Sequence, residues 1–429
     1  MAVGGMRKVF SNRNVLVISL TNSVATFFMM VYTPYWAKFL KDDIGLEITQ
    51  IGLLRALQRS NQLLFTFPGG LLADRIGRKK VTLMGAAARM FTPLIYLFAQ
   101  DWNMLLLGTI VNSMQSISTA AYTAMIAESL PRDQMGAGYG AFGMVRRAPM
   151  LFTGIVGGVL MDTMGIGMGT RICFVGGIVG AVIIFFARYF FLTETLKRKP
   201  GQRTTFKEDL REVIPMFQGS LRAMQVTSAI YQFAVGLTSE LIIIYVTEII
   251  GLSYTEWGLI STIMSTISLI TALPGGMMAD KYNRVQLNVM ARSIAPVTNL
   301  GYIYLRSFWQ VLGVRMIAGI GMGLSGVEMG MIGGATWESL MADLVPPEKR
   351  GRFSGMMSTF NGIISLPSPY VGAQLWVTPG IGPEGTLWIN IVLGLASTIV
   401  FGRFVKDPRY EKKEQKLPAD DDEGVSERA

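Results

Sequence analysis

Long apolar runs recur along the whole of this sequence, several of them near the ~20 residues a helix needs to cross a bilayer. They explain why only 16% of its 429 residues are charged while 50% are hydrophobic, against about 25% charged in ordinary soluble domains. The chain therefore reads as an all-α, polytopic membrane protein. The first thirteen residues are basic and lead directly into an apolar run of about twenty-five, longer than the core of a cleavable signal peptide. That run reads as an uncleaved first span.

Twelve spans fit the pattern: 14–40, 47–72, 80–99, 103–129, 136–161 and 171–192, then 223–249, 255–279, 286–305, 308–342, 352–376 and 386–405. An even number places both termini on one side. Lys and Arg crowd the termini and the loops 73–80, 130–135, 193–222, 280–285 and 343–352, whereas the opposite loops carry only Lys38, Lys41, Arg171 and Arg306. By the positive-inside rule both termini are cytoplasmic, in a cell membrane. Trp36, Trp102, Trp257, Trp309, Trp376 and Trp388 fall near the opposite ends, as interfacial anchors do.

The net charge of +10 is thus a topological signal rather than a nucleic-acid surface. Its basic linker can also touch anionic lipid. One cysteine, Cys173, excludes an internal disulfide, and the chain has no histidine. The 28 methionines have no Cys or His beside them to complete a soft-metal site, so they read as flexible packing. No metal, no cofactor, no nucleophile–base constellation and no phosphate-cradling loop is expected, hence no enzyme.

The chain also repeats itself. "PGGLLADRIGRKK" (68–80) returns as "PGGMMADKYNRVQ" (274–286), and a shift of 206 residues matches twelve positions between 45–81 and 251–287. A second match, 128–140 with 343–355, lies at an offset of 215. The plan is two parallel halves around a shared pathway: 1–192, a linker at 193–222, 223–406, and a charged tail at 407–429 that reads as disordered.

"GGLLADRIGRKK" resembles the signature loop between spans 2 and 3 of the major facilitator superfamily, and its weaker copy falls between spans 8 and 9. The resemblance covers about residues 12–406 and implies a secondary transporter of two pseudo-symmetric six-helix bundles, with a small-molecule substrate and protons as a possible coupling ion, acting as a monomer. In the loop, Gly69 and Gly70 permit close helix packing. Asp74 is placed to accept from a helix N-terminus of the opposite half. Arg78 is placed to pair with Glu128, and Asp280, Arg284 and Asp343 occupy the same places in the copy. The resemblance makes these pairs a latch of the transport cycle; anchoring by lipid charge is the simpler alternative.

Charges present in only one half need another reason, because an ionisable group at depth must face a cavity or a partner. Arg55 and Arg59 share a helix face where the second half has Ser261 and Ser265. Arg59 stands about 22 Å from the inner end of its helix at 1.5 Å per residue. Arg146 and Arg147 face Asn361 and Gly362 in the repeat, and Glu240 corresponds to Pro34. Glu328 lies in a glycine-rich stretch. The arginines suit a bound anion, and Glu240 and Glu328 suit proton coupling; static ion pairs satisfy the same energetics. Arg89 and Arg292, within nine residues of the inner ends, are expected to snorkel.

Uncharged polar residues recur on one helical face: Asn112, Gln115, Ser116 and Thr119; Ser19, Asn22, Ser23, Thr26 and Thr33; Ser228, Tyr231 and Gln232. They lie in spans 1, 4 and 7, which with span 10 line the cavity in the resembled family, although interhelical glue would produce the same stripes. Asn22, Thr26, Arg55, Arg59, Asn112, Gln115, Thr119, Arg146, Tyr231 and Gln232 are the substrate-site candidates. The chain departs from the family in two places: Asn112 replaces a common span-4 arginine, while "RMIAG" at Arg315 stands in span 10. "RRAPMLFTGIVGG" keeps Pro149 of the drug–proton antiporter motif but has Ala148 for its glycine. The reading is proton-coupled export of a small organic solute, with import of an organic anion as the alternative and a transport-inactive receptor as the different class.

Overall fold

The computed structural model describes residues 10–130, 135–196, 211, 214–325, 335–346 and 349–410. Glu328, most of the linker and the tail from 411 lie outside them, as does the side chain of Asp280. Every one of the twelve expected segments is helical in its described part, and no strand occurs among the described residues. In the first half the helices are α1 (Arg13–Tyr32), α2 (Trp36–Asp42), α3 (Ile48–Ile76), α4 (Arg78–Leu97), α5 (Trp102–Met114), α6 (Ile117–Ser129), α7 (Met135–Arg147), α8 (Met150–Met164) and α9 (Ile166–Phe191). In the second they are α10 (Gly219–Thr238), α11 (Ile242–Ile244, continuing as a π-helix Tyr245–Ile250), α12 (Tyr254–Lys281), α13 (Arg284–Tyr304), α14 (Phe308–Ser325), α15 (Ala335–Leu344), α16 (Arg350–Ser365), α17 (Ser368–Val377) and α18 (Gly382–Phe404).

By length and apolar composition alone, four described helical stretches suffice to cross a membrane, or five with α10 and α11 taken as one span bent by 43°. Several spans, some of the qualifying ones included, are interrupted. The interruptions are systematic. A 3₁₀ turn at Thr33–Tyr35 containing Pro34 separates α1 from α2. The matching break between α10 and α11 contains Glu240, the repeat partner of Pro34. Pro149 divides α7 from α8 and Pro367 divides α16 from α17, as expected of a residue without an N–H.

The repeat is legible in helix chemistry. α3 begins at a Glu47/Gln50 capping box and α12 at a Ser253/Glu256 box, 206 residues on, each satisfying donors the helix cannot. A Cβ on Gly69 would lie 2.7 Å from Ile117 Cα, and one on its partner Gly275 would lie 2.7 Å from Leu324 Cα. The first glycine of the motif therefore lets α3 press on α6 and α12 on α14. A Cβ on Gly70 would meet only Ala120 Cβ, at an ordinary 3.6 Å.

Apolar burial shows how the halves meet. One core joins both halves on the side away from the termini, with Tyr35, Trp36, Phe39 and Phe174 of the first and Leu241, Tyr245, Trp257 and Trp376 of the second. On the termini side each half has its own core: Val15, Ile18, Met125 and Leu130 in one, Trp337, Phe353 and Phe401 in the other. Among the described residues the halves thus share one apolar core at the far side and keep separate cores towards the termini.

Candidate functional site: a closed gate above a two-half pathway

At the far side α8 packs along α12, and α3 along α17. Gly154 and Gly258 make the first contact possible: a Cβ on Gly154 would stand 2.7 Å from Gly258 O. Tyr35, buried beneath, donates its hydroxyl proton to Gly154 O at 2.8 Å or Tyr254 O at 3.3 Å. Asp162, at the end of α8, accepts from the backbone N–H groups of Tyr254 (3.1 Å) and Thr255 (2.7 Å) at the start of α12. A first-half carboxylate thus caps a second-half helix, where the helix dipole favours negative charge. Glu248 completes the rim, paired with Lys38 and, at 2.5 Å, with Lys41.

Below the rim lies the charge cluster that the repeat comparison isolates. Arg55 Nε stands 2.8 Å from Glu240 Oε2, and Arg59 Nη2 3.9 Å from Glu240 Oε1. Arg59 also donates to Ser365 O and Ser368 Oγ at 3.4 and 3.3 Å. One arginine pair on α3 therefore holds the breaks of two second-half spans, α10/α11 and α16/α17. Glu240 serves as a counter-charge in this state, and its carboxylate is not free. The hydrogen bonds and ion pairs that join the halves through described residues all gather at this side.

The motif loops on the termini side make contacts within each half. Arg78 Nη1 lies 2.7 Å from Glu128, and Arg284 Nη2 lies 2.8 Å from Asp343. Asp74 is exposed and, among the described residues, reaches Arg78 alone, at 4.0 Å. Among the described residues the expected bond from Asp74 to the opposite half is not formed. Sequence reasoning missed two partners. Glu194 accepts from the N–H groups of Arg78 and Lys79, both at 3.1 Å, capping α4. Asp407 accepts from Arg284 N (3.0 Å) and pairs with its guanidinium at 2.5 Å, capping α13. The two acids stand 213 residues apart at matching places, a repeat signal too short to detect without the contacts.

Both carboxyls ionise more readily than usual. Burial pushes Glu194 up, but the N–H groups of Leu196, Lys79, Arg78 and Thr195 together hold it below its ordinary value. Burial opposes Asp407 in the same way, and the Arg284 side chain and backbone outweigh it.

The polar stripe of span 4 does not form one continuous face. The helix breaks between α5 and α6 at Gln115–Ser116, where Ser116 Oγ reaches Ser113 O (2.5 Å) and Gln62 O (3.1 Å). Ser116 is interhelical glue, and Thr119 is exposed. Gln115 Nε2 donates to Asn112 Oδ1 at 2.7 Å and Thr92 Oγ1 at 3.2 Å. These three line a cavity of about 50 Å³ open to water-sized molecules, between α1, α4, α5 and α9, together with Tyr32, Arg89 and Cys173. Asn22 is buried one turn away and accepts from Arg188 Nη2 at 3.1 Å, leaving its Nδ2 without a partner. Thr26, Arg146 and Gln232 are half-buried.

Arg292 does not snorkel. It is 3% exposed, donates to Thr227 O at 2.9 Å, and lies 4.8 Å from the rings of both Tyr231 and Phe401. Tyr231, a substrate-site candidate, is therefore buried as an arginine platform. Arg89 does not snorkel either: it turns into the cavity, with Nε buried and unbonded. Its helix packs along α9, whose residues form the cavity's opposite wall.

A family model described as the Major Facilitator Superfamily matches residues 18–327 and 226–427. Among curated proteins, the Multidrug resistance protein MdtG of Enterobacter lignolyticus (strain SCF1) is 26% identical over 347 residues, covering 78% of this chain and 77% of that one. MdtG of Dickeya zeae (strain Ech586) is 26% identical over 336 residues, covering 76% and 77%. Among solved structures, a D-xylose-proton symporter superposes with a TM-score of 0.71 at 14% identity, covering 92% of this chain and 98% of that one. A point mutant of the nucleoside transporter NupG gives 0.71 at 13%, covering 92% and 100%.

Proposed function

The chain belongs to the Major Facilitator Superfamily and is an integral membrane secondary transporter, and on that footing we propose that it exports small organic solutes in exchange for protons. The two halves, 1–192 and 223–406 joined by the 193–222 linker, rock about a central pathway. Both termini are cytoplasmic, in keeping with the basic loops on their side, so this state is open inward. Export accords with the multidrug-resistance name of the relatives. Asn22, Thr26, Asn112, Gln115, Thr119, Arg146 and Gln232 are the candidates to meet the solute, with Tyr231 behind them. Asp74, Arg78 and Glu128, with Asp280, Arg284 and Asp343, re-engage across the halves when the inner side closes.

The observation that carries this reading is Glu240, placed at the break of a bent span and paired across the halves with Arg55 and Arg59. An exchanger must not reorient when it is both empty and deprotonated. A negative Glu240 held by two arginines keeps the outer gate shut in that condition. A proton on Glu240 removes the attraction, and a solute that competes for either partner does the same, so the gate opens only for one or the other. Glu328 is the second candidate proton carrier.

The test is solute flux in proteoliposomes under an imposed pH gradient. Wild type should accumulate solute against the proton flow, and Glu240→Gln should move solute without regard to the gradient. Wild-type transport that ignores the gradient would sink the coupling. Co-accumulation of proton and solute would instead mean uptake.

A further inference from the structure

Inside the first half, Arg89 and Arg188 have no acid beside them among the described residues. Arg188 is 1% exposed and donates to Thr21 Oγ1 and Asn22 Oδ1, each at 3.1 Å, which are neutral acceptors. Arg89 donates no hydrogen bond to any described residue, and its Nε is fully enclosed. The two guanidiniums lie within electrostatic range of each other, with Tyr122 and Tyr32 nearby. Among the described residues neither has an ion-pair partner, although a buried cation is normally paired. Arg55, Arg59 and Arg292, which also turn inward, each have a counterpart: Glu240 for the first two, and two rings and a carbonyl for the third.

The repeat sharpens the contrast. With Glu194 matched to Asp407, Arg188 falls on Phe401. In the second half an aromatic ring therefore absorbs the charge of Arg292, while in the first half the same place holds another cation. Next to that doubled charge lies the cavity, walled by Phe28, Tyr32 and Pro93 and bearing Arg89, Thr92, Asn112 and Gln115 among its polar groups. Its volume suits roughly three or four water-sized groups, which is a head group rather than a whole solute.

We propose that this cavity is a subsite for the carboxylate of an organic anion, bound by Arg89 with Arg188 behind it, the apolar body of the solute lying against Phe28 and Tyr32. The proposal rests on the transport reading above and names the class of solute carried. A carboxylate supplies the missing charge, pairs with the Arg89 guanidinium that lines the cavity and accepts from the free amide N–H groups of Asn112.

The test uses the full chain purified in detergent, with benzoate as probe, benzamide as its uncharged counterpart, and chloride and inorganic phosphate as simple anions. Benzoate should raise the melting temperature saturably and shield Cys173, which lines the cavity, from alkylation; benzamide should do neither. Arg89→Gln should weaken benzoate binding about 10- to 100-fold, the range for one charge-assisted hydrogen bond. Arg89→Gln should also melt higher than wild type without ligand, since it deletes an uncompensated charge. Equal responses to benzamide, equal responses to chloride or phosphate, or unchanged benzoate affinity in Arg89→Gln would each overturn the subsite. Arg89-dependent binding without solute flux in proteoliposomes would instead overturn the transport reading and leave the subsite standing.

Discussion

Removing the Asp162 carboxylate should loosen the outer gate by an amount the structure sets. Asp162 accepts two backbone N–H bonds, at 3.1 and 2.7 Å, from the first turn of α12, and those donors have no partner within their own helix. Loss of such a cap costs about 1 kcal/mol, and the helix dipole adds a few tenths. Because Asp162 is exposed, solvent screens the charge, so the lower figure is appropriate. About 1 kcal/mol is a roughly fivefold change in an equilibrium constant. Since these bonds exist only when the far side is closed, Asp162→Ala should raise the ratio of far-side-open to far-side-closed molecules about fivefold. The assay is a distance distribution between spin labels at the exposed positions Met164 and Trp309, in a Cys173→Ser background. Asp162→Asn, which keeps an acceptor oxygen, should lie between. A distribution identical to wild type, or one shifted to shorter distances, would refute the argument that this cap holds the gate.

Three further outcomes follow from the same contacts. Gly154→Leu should bar α8 from α12, because its side chain would drive into Gly258 O, and the label distances should lengthen beyond those of Asp162→Ala. Arg284→Ala should lower thermal stability by about 3–5 kcal/mol, as it strands the buried Asp407; a loss under about 1 kcal/mol would mean that the cluster is effectively solvated. Glu194 and Asp407 have lowered pKa values in the fold, so their stabilisation is complete above the ordinary carboxylate range and is lost as pH falls through the folded values. Melting temperature should accordingly drop below about pH 4, and Glu194→Gln should flatten that drop.

Much of this architecture is legible in the sequence, because a bilayer imposes long apolar helices and a duplicated chain repeats its special residues. The same repeat singles out Arg55, Arg59 and Glu240 as charges the frame does not require, and the fold brings those three together. The pattern alone admits several pairings for them, since a one-dimensional pattern cannot say which spans meet. The break at Gln115–Ser116 has no Gly or Pro to announce it; the backbone tightens there to i→i−3 bonds, and the Ser116 hydroxyl adds a bond to Ser113 O. Arg89 and Arg292 depart from the snorkelling expectation because depth along a helix does not reveal whether a side chain points to the interface or into the bundle. Asp162, Glu194 and Asp407 sit at helix ends among many other acids, and only the chain that folds back onto them gives them a role.

If charge on Glu240 decides when the gate moves, protons and solute must be linked through that one carboxylate. Recording lumenal pH in proteoliposomes while a transported solute is added, in wild type and in Glu240→Gln, reads the linkage directly. Wild type should show a solute-dependent proton movement opposite in direction to the solute, abolished in Glu240→Gln while the solute still crosses. Solute transport with no proton movement in wild type, or undiminished proton movement in Glu240→Gln, would contradict it.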